Sequence, residues 1–306
     1  MSFTLIRGLH NLRPQHRGCV ATIGSFDGVH RGHRAIIEQL LEQSRALHLP
    51  SVVIIFEPQP YEYFSGEKAP ARLMTLRDKL RALAACGVDR VLCLQFNAKL
   101  RQLSAQAFIE QILVEKLGIK SLVVGDDFRF GCDRAGDFSL LQIAGVTHGF
   151  AVYDTHTVEE GGERISSTRI RRALEAENFD EAERLLGHTY TIRDRVVYGR
   201  QLGRTIGVPT ANVRLRRCRS PLNGVFAVQM RIVGKDVWRD GVANVGVRPT
   251  VGDEVRPILE VYLLDFSGDL YRREVEVRFC KKLRDEQKFP SFDALKQQIY
   301  RDIEQA

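Results

Sequence analysis

The chain has 306 residues, room for two ordinary domains, and its 44% hydrophobic and 27% charged residues describe a globular protein and exclude a disordered one. Its longest apolar run, Val52–Phe56, falls far short of the roughly 20 residues that span a bilayer, and the start MSFTLIRGLHNL lacks a signal peptide's basic head and apolar core, so a soluble cytoplasmic protein without a membrane partner is expected. The 45 Lys and Arg against 38 Asp and Glu leave a formal charge of +7, which suits anionic small substrates.

Arginines cluster at Arg169, Arg171 and Arg172 and again at Arg214, Arg216, Arg217 and Arg219, and such clusters attract polyanions in general. No aromatic-rich ribonucleoprotein motif or zinc finger accompanies them, so a nucleic-acid partner is not expected. The six cysteines (Cys19, Cys86, Cys93, Cys132, Cys218 and Cys280) form no C-x-x-C pair. They read as reduced, small buried residues.

Along the first half, strand and helix patterns alternate. Cys19–Gly24 is a short apolar run ending in glycine, and Gly32–Leu47 carries helical spacing through Ala35, Ile36, Leu40, Leu41 and Leu47. Ser51–Phe56 is a β-branched run suited to a strand covered on both faces. Leu76–Ala85 reads as helix, Arg90–Phe96 as strand, Ser104–Leu117 as helix with Ser104 as N-cap, and Leu122–Val124 as a buried strand. This alternation predicts a parallel sheet with helices on both faces. From about Tyr190 the strand runs Tyr190–Tyr198, Val225–Val233, Val242–Val247, Ile258–Phe266 and Glu274–Phe279 follow one another between glycine turns, which predicts an antiparallel barrel or sandwich. A helix over Ser291–Ile303, capped by Ser291, closes the chain. The domain boundary falls after a helix at Asp180–Leu186, giving domains 1–186 and 187–306.

Two patterns carry chemistry. In Gly24-Ser25-Phe26-Asp27-Gly28-Val29-His30-Arg31-Gly32-His33, a strand, a glycine-rich turn and a helix start present backbone N–H groups to an anion. His30 and His33, at i and i+3, project to one side of the first turn and can donate to a phosphate gaining charge. Alone, these are two surface histidines in a turn. Downstream, Ile165-Ser166-Ser167-Thr168-Arg169-Ile170-Arg171 adds hydroxyls, a helix that Ser167 or Thr168 can cap, and guanidinium groups suited to phosphate. In the second half, Thr210 and Asn212 of Pro209-Thr210-Ala211-Asn212 point the same way in an extended segment and can offer two neutral oxygens to Mg²⁺. Gly199, Gly203 and Gly207 permit a loop over a nucleotide, although this is not a Walker A sequence. Glu260, in Ile258–Leu264, alternates with Leu259, Val261 and Leu263, and such a carboxylate can take a proton from an alcohol. A solvent-facing strand carboxylate is the commoner case.

G-x-F-D-G-V-H-x-G-H with I-S-S-T-x-x-R resembles the nucleotidylyltransferase superfamily. The runs Phe56–Pro60, Arg72–Leu80 and Val124–Gly131 narrow this to the bacterial bifunctional riboflavin kinase/FMN adenylyltransferases. Pro209–Asn212, Gly241–Thr250 and Leu283–Phe289 match the riboflavin kinase module of that family, so the resemblance covers nearly the whole chain. It implies a Rossmann-like nucleotidylyltransferase domain followed by an antiparallel β-barrel closed by a helix. It further implies ATP and Mg²⁺ as co-substrate and metal, and riboflavin, FMN and FAD as ligands.

Carried over, His30, His33 and Arg171 serve adenylyl transfer. Gly24, Ser25, Phe26, Asp27, Gly28, Asp126, Asp127, Phe128, Ser166, Ser167 and Thr168 line the nucleotide–flavin cleft. Gly203 and Gly207 shape the kinase loop, Thr210 and Asn212 hold the metal, and Glu260 is the base. Two positions depart from the family: Tyr262 stands where His is usual, and Phe226 where Tyr is commoner. Neither removes a group assigned to the chemistry. A nucleotidyltransferase acting on another phosphate is the rival enzyme reading, and RNA binding the rival without chemistry. Self-association is left open.

Overall fold

The computed structural model describes residues 3–125, 127–155, 157–199, 207–215, 219–249 and 255–306. The chain divides into two compact units, one of Met1–Pro70 with Leu76–Ser166 and one of Ala71–Thr75 with Ser167–Ala306.

In the first unit, strands β1 (Thr4–Arg7), β2 (Cys19–Ile23), β3 (Ser51–Glu57), β4 (Arg90–Gln95), β5 (Ile119–Gly125) and β6 (Ala151–Thr155) form one sheet in the order β1-β4-β3-β2-β5-β6. Every pairing in it is parallel. One face, through Cys19, Ala21, Ile23, Val52, Ile54, Leu92, Leu94, Leu122 and Val124, shares a core with the helical stretch Ala105–Leu117 and with Leu141 and Ala144 of the helix Phe138–His148. Helix α1 (Arg31–Leu47) packs against β2, β3, β5 and β6 and contributes nothing to that core, so it covers the opposite face. Burial on both faces explains why Ser51–Phe56 is continuously apolar where a half-exposed strand would alternate. Helix α2 (Pro60–Ser65) follows β3, helix α3 (Leu76–Ala85) precedes β4, and a two-stranded hairpin of β7 (Glu159–Glu160) and β8 (Glu163–Arg164) follows β6. The expected caps form: Ser104 Oγ accepts from Ala107 N at 3.1 Å and Ser291 Oγ from Ala294 N at 3.2 Å.

The second unit settles the choice between barrel and sandwich. Strands β9 (Thr191–Val197), β10 (Thr210–Arg214), β11 (Gly224–Ile232), β12 (Arg239–Pro249), β13 (Val255–Leu263) and β14 (Glu274–Arg284) close in the order β10-β13-β12-β11-β14-β9, antiparallel throughout. The final helix spans Phe292–Gln305. Two further helices, Ser167–Glu175 and Phe179–Leu186, belong to this unit, and the second packs on β14. Phe179 meets Phe226 edge-on at 6.2 Å and stacks on Phe279 at 6.4 Å. Phe226 is wholly buried, so the phenylalanine at this position is an apolar core side chain.

The expectation for the cysteines holds for Cys19 and Cys93, and burial pushes the Cys19 thiol up to about 12. It fails at Cys280, which is exposed. Val228 pairs with Phe279 and the next residue, Ala227, pairs with Lys281, so Cys280 is the extra residue of a β-bulge and leaves the alternation. Cys86 and Cys132 are half-buried, and Cys218 lies outside the described residues.

Candidate functional site

Strand β2 pairs with β3 on one side and β5 on the other, so the sheet order reverses at β2 and a crevice opens beyond the carboxyl ends of β2 and β5. Open α/β sheets bind ligands at this position. The β2 loop holds Phe26 at φ 47°, Gly28 at 89° and Val29 at 41°. A β-branched residue in the left-handed region is costly, of order 1–3 kcal/mol, and the surrounding structure must impose it. Phe26, Asp27, Gly28, Val29 and His30 are all buried, whereas Gly24 and Ser25 are half-buried. Beneath the loop, the fully buried Lys79 of α3 donates from Nζ to the Ser25 carbonyl at 2.5 Å.

His30 is the N-cap of α1, with its Nδ1 accepting the His33 backbone N–H at 3.3 Å. Nδ1 is therefore the acceptor nitrogen, and the neutral ring carries its proton on Nε2. The two imidazoles stack with centroids 3.6 Å apart, and His33 also lies 5.1 Å from the Phe26 ring. Two ring donors thus sit side by side at a helix N-terminus whose first-turn N–H groups have no helical acceptor. The arrangement suits the negative charge of a phosphate in transfer.

The β5 loop bounds the other side of the crevice. Asp127 is exposed and pairs with Arg164 of β8, including a 3.2 Å bond from Arg164 Nη2 to Asp127 Oδ1. That hydrogen bond holds the Asp127 carboxyl below its usual value. Phe128 stacks on Phe130 at 5.5 Å. The β7–β8 hairpin also reaches the histidine loop, because Arg31 at the start of α1 pairs with Glu160 at 2.6 Å. One hairpin therefore ties both crevice loops. Asp126 lies outside the described residues.

Ser166 ends the first unit, whereas Ser167, Thr168 and Arg171 belong to the second. The helix begins at Ser167, one residue earlier than a Ser167 cap requires and two earlier than a Thr168 cap requires, so both hydroxyls stand in its first turn. Arg171 is 8% exposed and donates from Nε to the Ala71 carbonyl at 2.5 Å, which fixes its guanidinium plane.

On the barrel, antiparallel register brings together the second set. Thr210 faces Tyr262 and Asn212 faces Glu260 across β10 and β13. Leu259, Val261 and Leu263 are buried on the opposite face of β13, as the alternation predicts. Asn212 is only 5% exposed, and its Oδ1 is buried without a hydrogen-bond partner among the described residues. An unmatched acceptor beside a carboxylate and a hydroxyl is a donor set of hard oxygens, and it fits Mg²⁺. A Cβ at Gly199 would stand 2.5 Å from Asn212 Nδ2, so a larger residue there would displace the Asn212 amide. A cavity of about 390 Å³, in the size range of small-molecule sites, is lined by Thr210 together with Ala211, Val261, Leu263, Phe266 and Tyr271, and not by Asn212 or Glu260. Gly207 is at φ 78°, and Gly203 lies outside the described residues.

Sequence reasoning gave no role to two residues. Lys79 shares the buried face of α3 with Leu83, and a lysine inside an apolar stripe at i, i+4 was the available signal. Asn244 of β12 faces Glu260 from the other side, which no local pattern shows.

Two family models match the chain, one described as FAD synthetase over residues 12–169 and one as riboflavin kinase over residues 186–306. The bifunctional riboflavin kinase/FMN adenylyltransferase of Pseudomonas fluorescens is 58% identical over 299 residues, covering 98% of this chain and 95% of its own. The protein of that name from Escherichia coli (strain K12) is 56% identical, with 97% and 95% covered, and that from Haemophilus influenzae 49% identical, with 99% and 97% covered. A solved structure described as the macrolide-efflux protein from Streptococcus pneumoniae is 30% identical, with a TM-score of 0.77 over 99% of this chain and 98% of its own. Among the described residues, no helix of this chain is long and apolar enough to cross a membrane.

Proposed function

The chain belongs to the bifunctional riboflavin kinase/FMN adenylyltransferase family, and from that premise we propose how its residues divide the two reactions. It phosphorylates riboflavin to FMN with ATP, then transfers the adenylyl group of a second ATP to FMN, giving FAD and pyrophosphate. Residues 1–186 carry the adenylyl transfer and 187–306 the kinase.

For adenylyl transfer, the attacking group is an FMN phosphate oxygen that is already an anion, so no base is needed. Nε2–H of His30 and the His33 ring donate to the phosphate as its charge grows. Gly24, Ser25, Phe26, Asp27 and Gly28 shape the floor of the nucleotide pocket, with the Asp126–Phe128 loop as its wall. Ser166, Ser167, Thr168 and the permanent charge of Arg171 hold the triphosphate.

For the kinase, Glu260 accepts the proton of the primary ribityl hydroxyl as that oxygen attacks the γ-phosphate. Thr210 and Asn212 hold Mg²⁺, which when bound neutralises charge on the transferring phosphates. The loop carrying Gly203 and Gly207 covers the nucleotide. The reading sets the enzyme in the cytoplasm, which agrees with the free thiols of Cys19, Cys86, Cys93, Cys132 and Cys280, and it asks for no nucleic-acid partner.

The observation that carries this reading is the register that sets Asn212, with its unmatched buried oxygen, directly opposite Glu260. Incubation with riboflavin, ATP and Mg²⁺ tests it: FMN appears first and FAD follows. Accumulation of neither product sinks the reading.

A further inference from the structure

Glu260 has an asparagine on each side. β13 lies between β10 and β12, and the register sets Glu260 opposite Asn212 on one neighbour and opposite Asn244 on the other. Directly opposed residues share a face of the sheet, so the three polar side chains form one lateral row. Their neighbours along each strand, Ala211 and Val213, Leu259 and Val261, Ala243 and Val245, are buried on the other face.

Asn244 Oδ1, like Asn212 Oδ1, is buried and has no hydrogen-bond partner among the described residues. Leaving a buried acceptor unmet is costly, and native structures seldom do so without a reason. Glu260 cannot supply the missing donor, because an ionised carboxylate only accepts. The two amide oxygens are therefore acceptors open to something rich in protons or positive charge. A further carboxylate stands near the row: Glu286 rests against Gly246, two residues beyond Asn244 on the same face of β12.

Resting on the kinase reading above, we propose that Asn244 belongs to the divalent-cation site, taking a water of the metal's shell while Thr210 and Asn212 ligate the ion from the opposite strand. Strand spacing decides between direct and water-mediated contact. Asn212 and Asn244 are two spacings apart, roughly 10 Å between backbones, too far for two short amides to clasp one small ion easily. Mg²⁺ retains several waters, and their outward protons match an acceptor that lies one strand away.

The test uses Mn²⁺ as probe, with the full-length protein and saturating ADP, reading free Mn²⁺ by electron paramagnetic resonance. Asn244→Ala raises the Mn²⁺ dissociation constant roughly 10-fold, the lower end of what outer-shell partners of metals contribute. Asn244→Asp, which keeps an oxygen and adds charge, holds or tightens Mn²⁺ binding. It also carries the test if the alanine variant fails to fold by circular dichroism. Thr210→Ala is the control for the underlying reading.

If Thr210→Ala loses Mn²⁺ while Asn244→Ala binds within twofold of the parent, Asn244 is not part of the site and only this proposal falls. If neither variant changes Mn²⁺ binding, the kinase metal reading falls with it. Weaker Mn²⁺ binding in Asn244→Asp overturns the proposal. So does a raised riboflavin KM, or a shifted pH profile of phosphorylation, with Mn²⁺ affinity intact. Those results would make Asn244 a contact of the substrate hydroxyls or a support for Glu260.

Discussion

His30 accepts the backbone N–H of His33 through Nδ1 and stacks its ring on the His33 ring, centroids 3.6 Å apart. The helix cap and the paired rings are thus one device: the bond that starts α1 uses Nδ1 of His30 and leaves Nε2 to carry the proton of the neutral ring. His33 hangs from the same turn and depends on that cap for its direction.

His33→Ala is expected to slow FAD formation from supplied FMN by about 10²–10³, the usual loss for one donor to a developing charge. Riboflavin phosphorylation continues, because its residues lie on the barrel. His30→Ala loses the same donor and the cap as well, at about 1 kcal/mol of helix stability. Only His30→Ala should lower the melting temperature. Adenylylation within a few-fold of wild type in His33→Ala would remove that residue from the mechanism.

The ion pair between Arg164 and Asp127 separates geometry from stability. Both side chains are about half exposed, so the pair contributes at most a few tenths of a kcal/mol to folding. Asp127 is held below its ordinary value of 3.8, so whatever it contributes is complete above that pH and fades as pH falls through the lowered value. Arg164→Ala should leave the melting temperature at pH 7 unchanged. It should raise the FMN KM of adenylylation by freeing the β5 loop. An unchanged KM would mean that the hairpin does not position that loop.

Because the helix Phe179–Leu186 packs its Phe179 on Phe226 and Phe279, the place where a kinase fragment starts matters. A fragment from Ser167 and one from Tyr190 are both expected to make FMN and no FAD. The shorter one exposes the Phe226–Phe279 pair and loses the bond from Lys282 to Glu177. It should be less stable by roughly 1.5–3 kcal/mol, the burial of one large apolar side chain. Urea midpoints compare the two, and equal midpoints would show that the helix contributes nothing to the barrel.

What the sequence revealed follows from periodicity. Ser51–Phe56 and Leu76–Ala85 announce their elements because burial on two faces or on one stripe leaves a direct pattern. Thr4–Arg7 does not, since a four-residue edge strand is defined by its pairing with β4. The alternating pattern of β14 stops at Phe279 because the bulge at Cys280 breaks it, although pairing runs on to Arg284. The histidine loop was legible because its glycines and rings adjoin in the chain. The row Asn212, Glu260 and Asn244 was half legible: Thr210 and Asn212 sit two apart, but Asn244 joins only through register across β13.

Glu260→Gln separates two readings of that row. If Glu260 were only a strand carboxylate, the amide would keep its shape, and a surface exchange seldom costs more than roughly 0.5 kcal/mol. As the base for the riboflavin hydroxyl, it loses the ability to take the proton, and phosphorylation should slow by roughly 10²–10⁴. Mn²⁺ binding with ADP should persist, because Thr210 and Asn212 on β10 keep their oxygens. Adenylylation of supplied FMN should persist too, since its nucleophile is already ionised. The measurement is paired within one folded variant: FMN from riboflavin and FAD from FMN. Equal loss of both points to misfolding, and near-normal kinase turnover would take Glu260 out of the chemistry, leaving its register with Asn212 and Asn244 to serve binding alone.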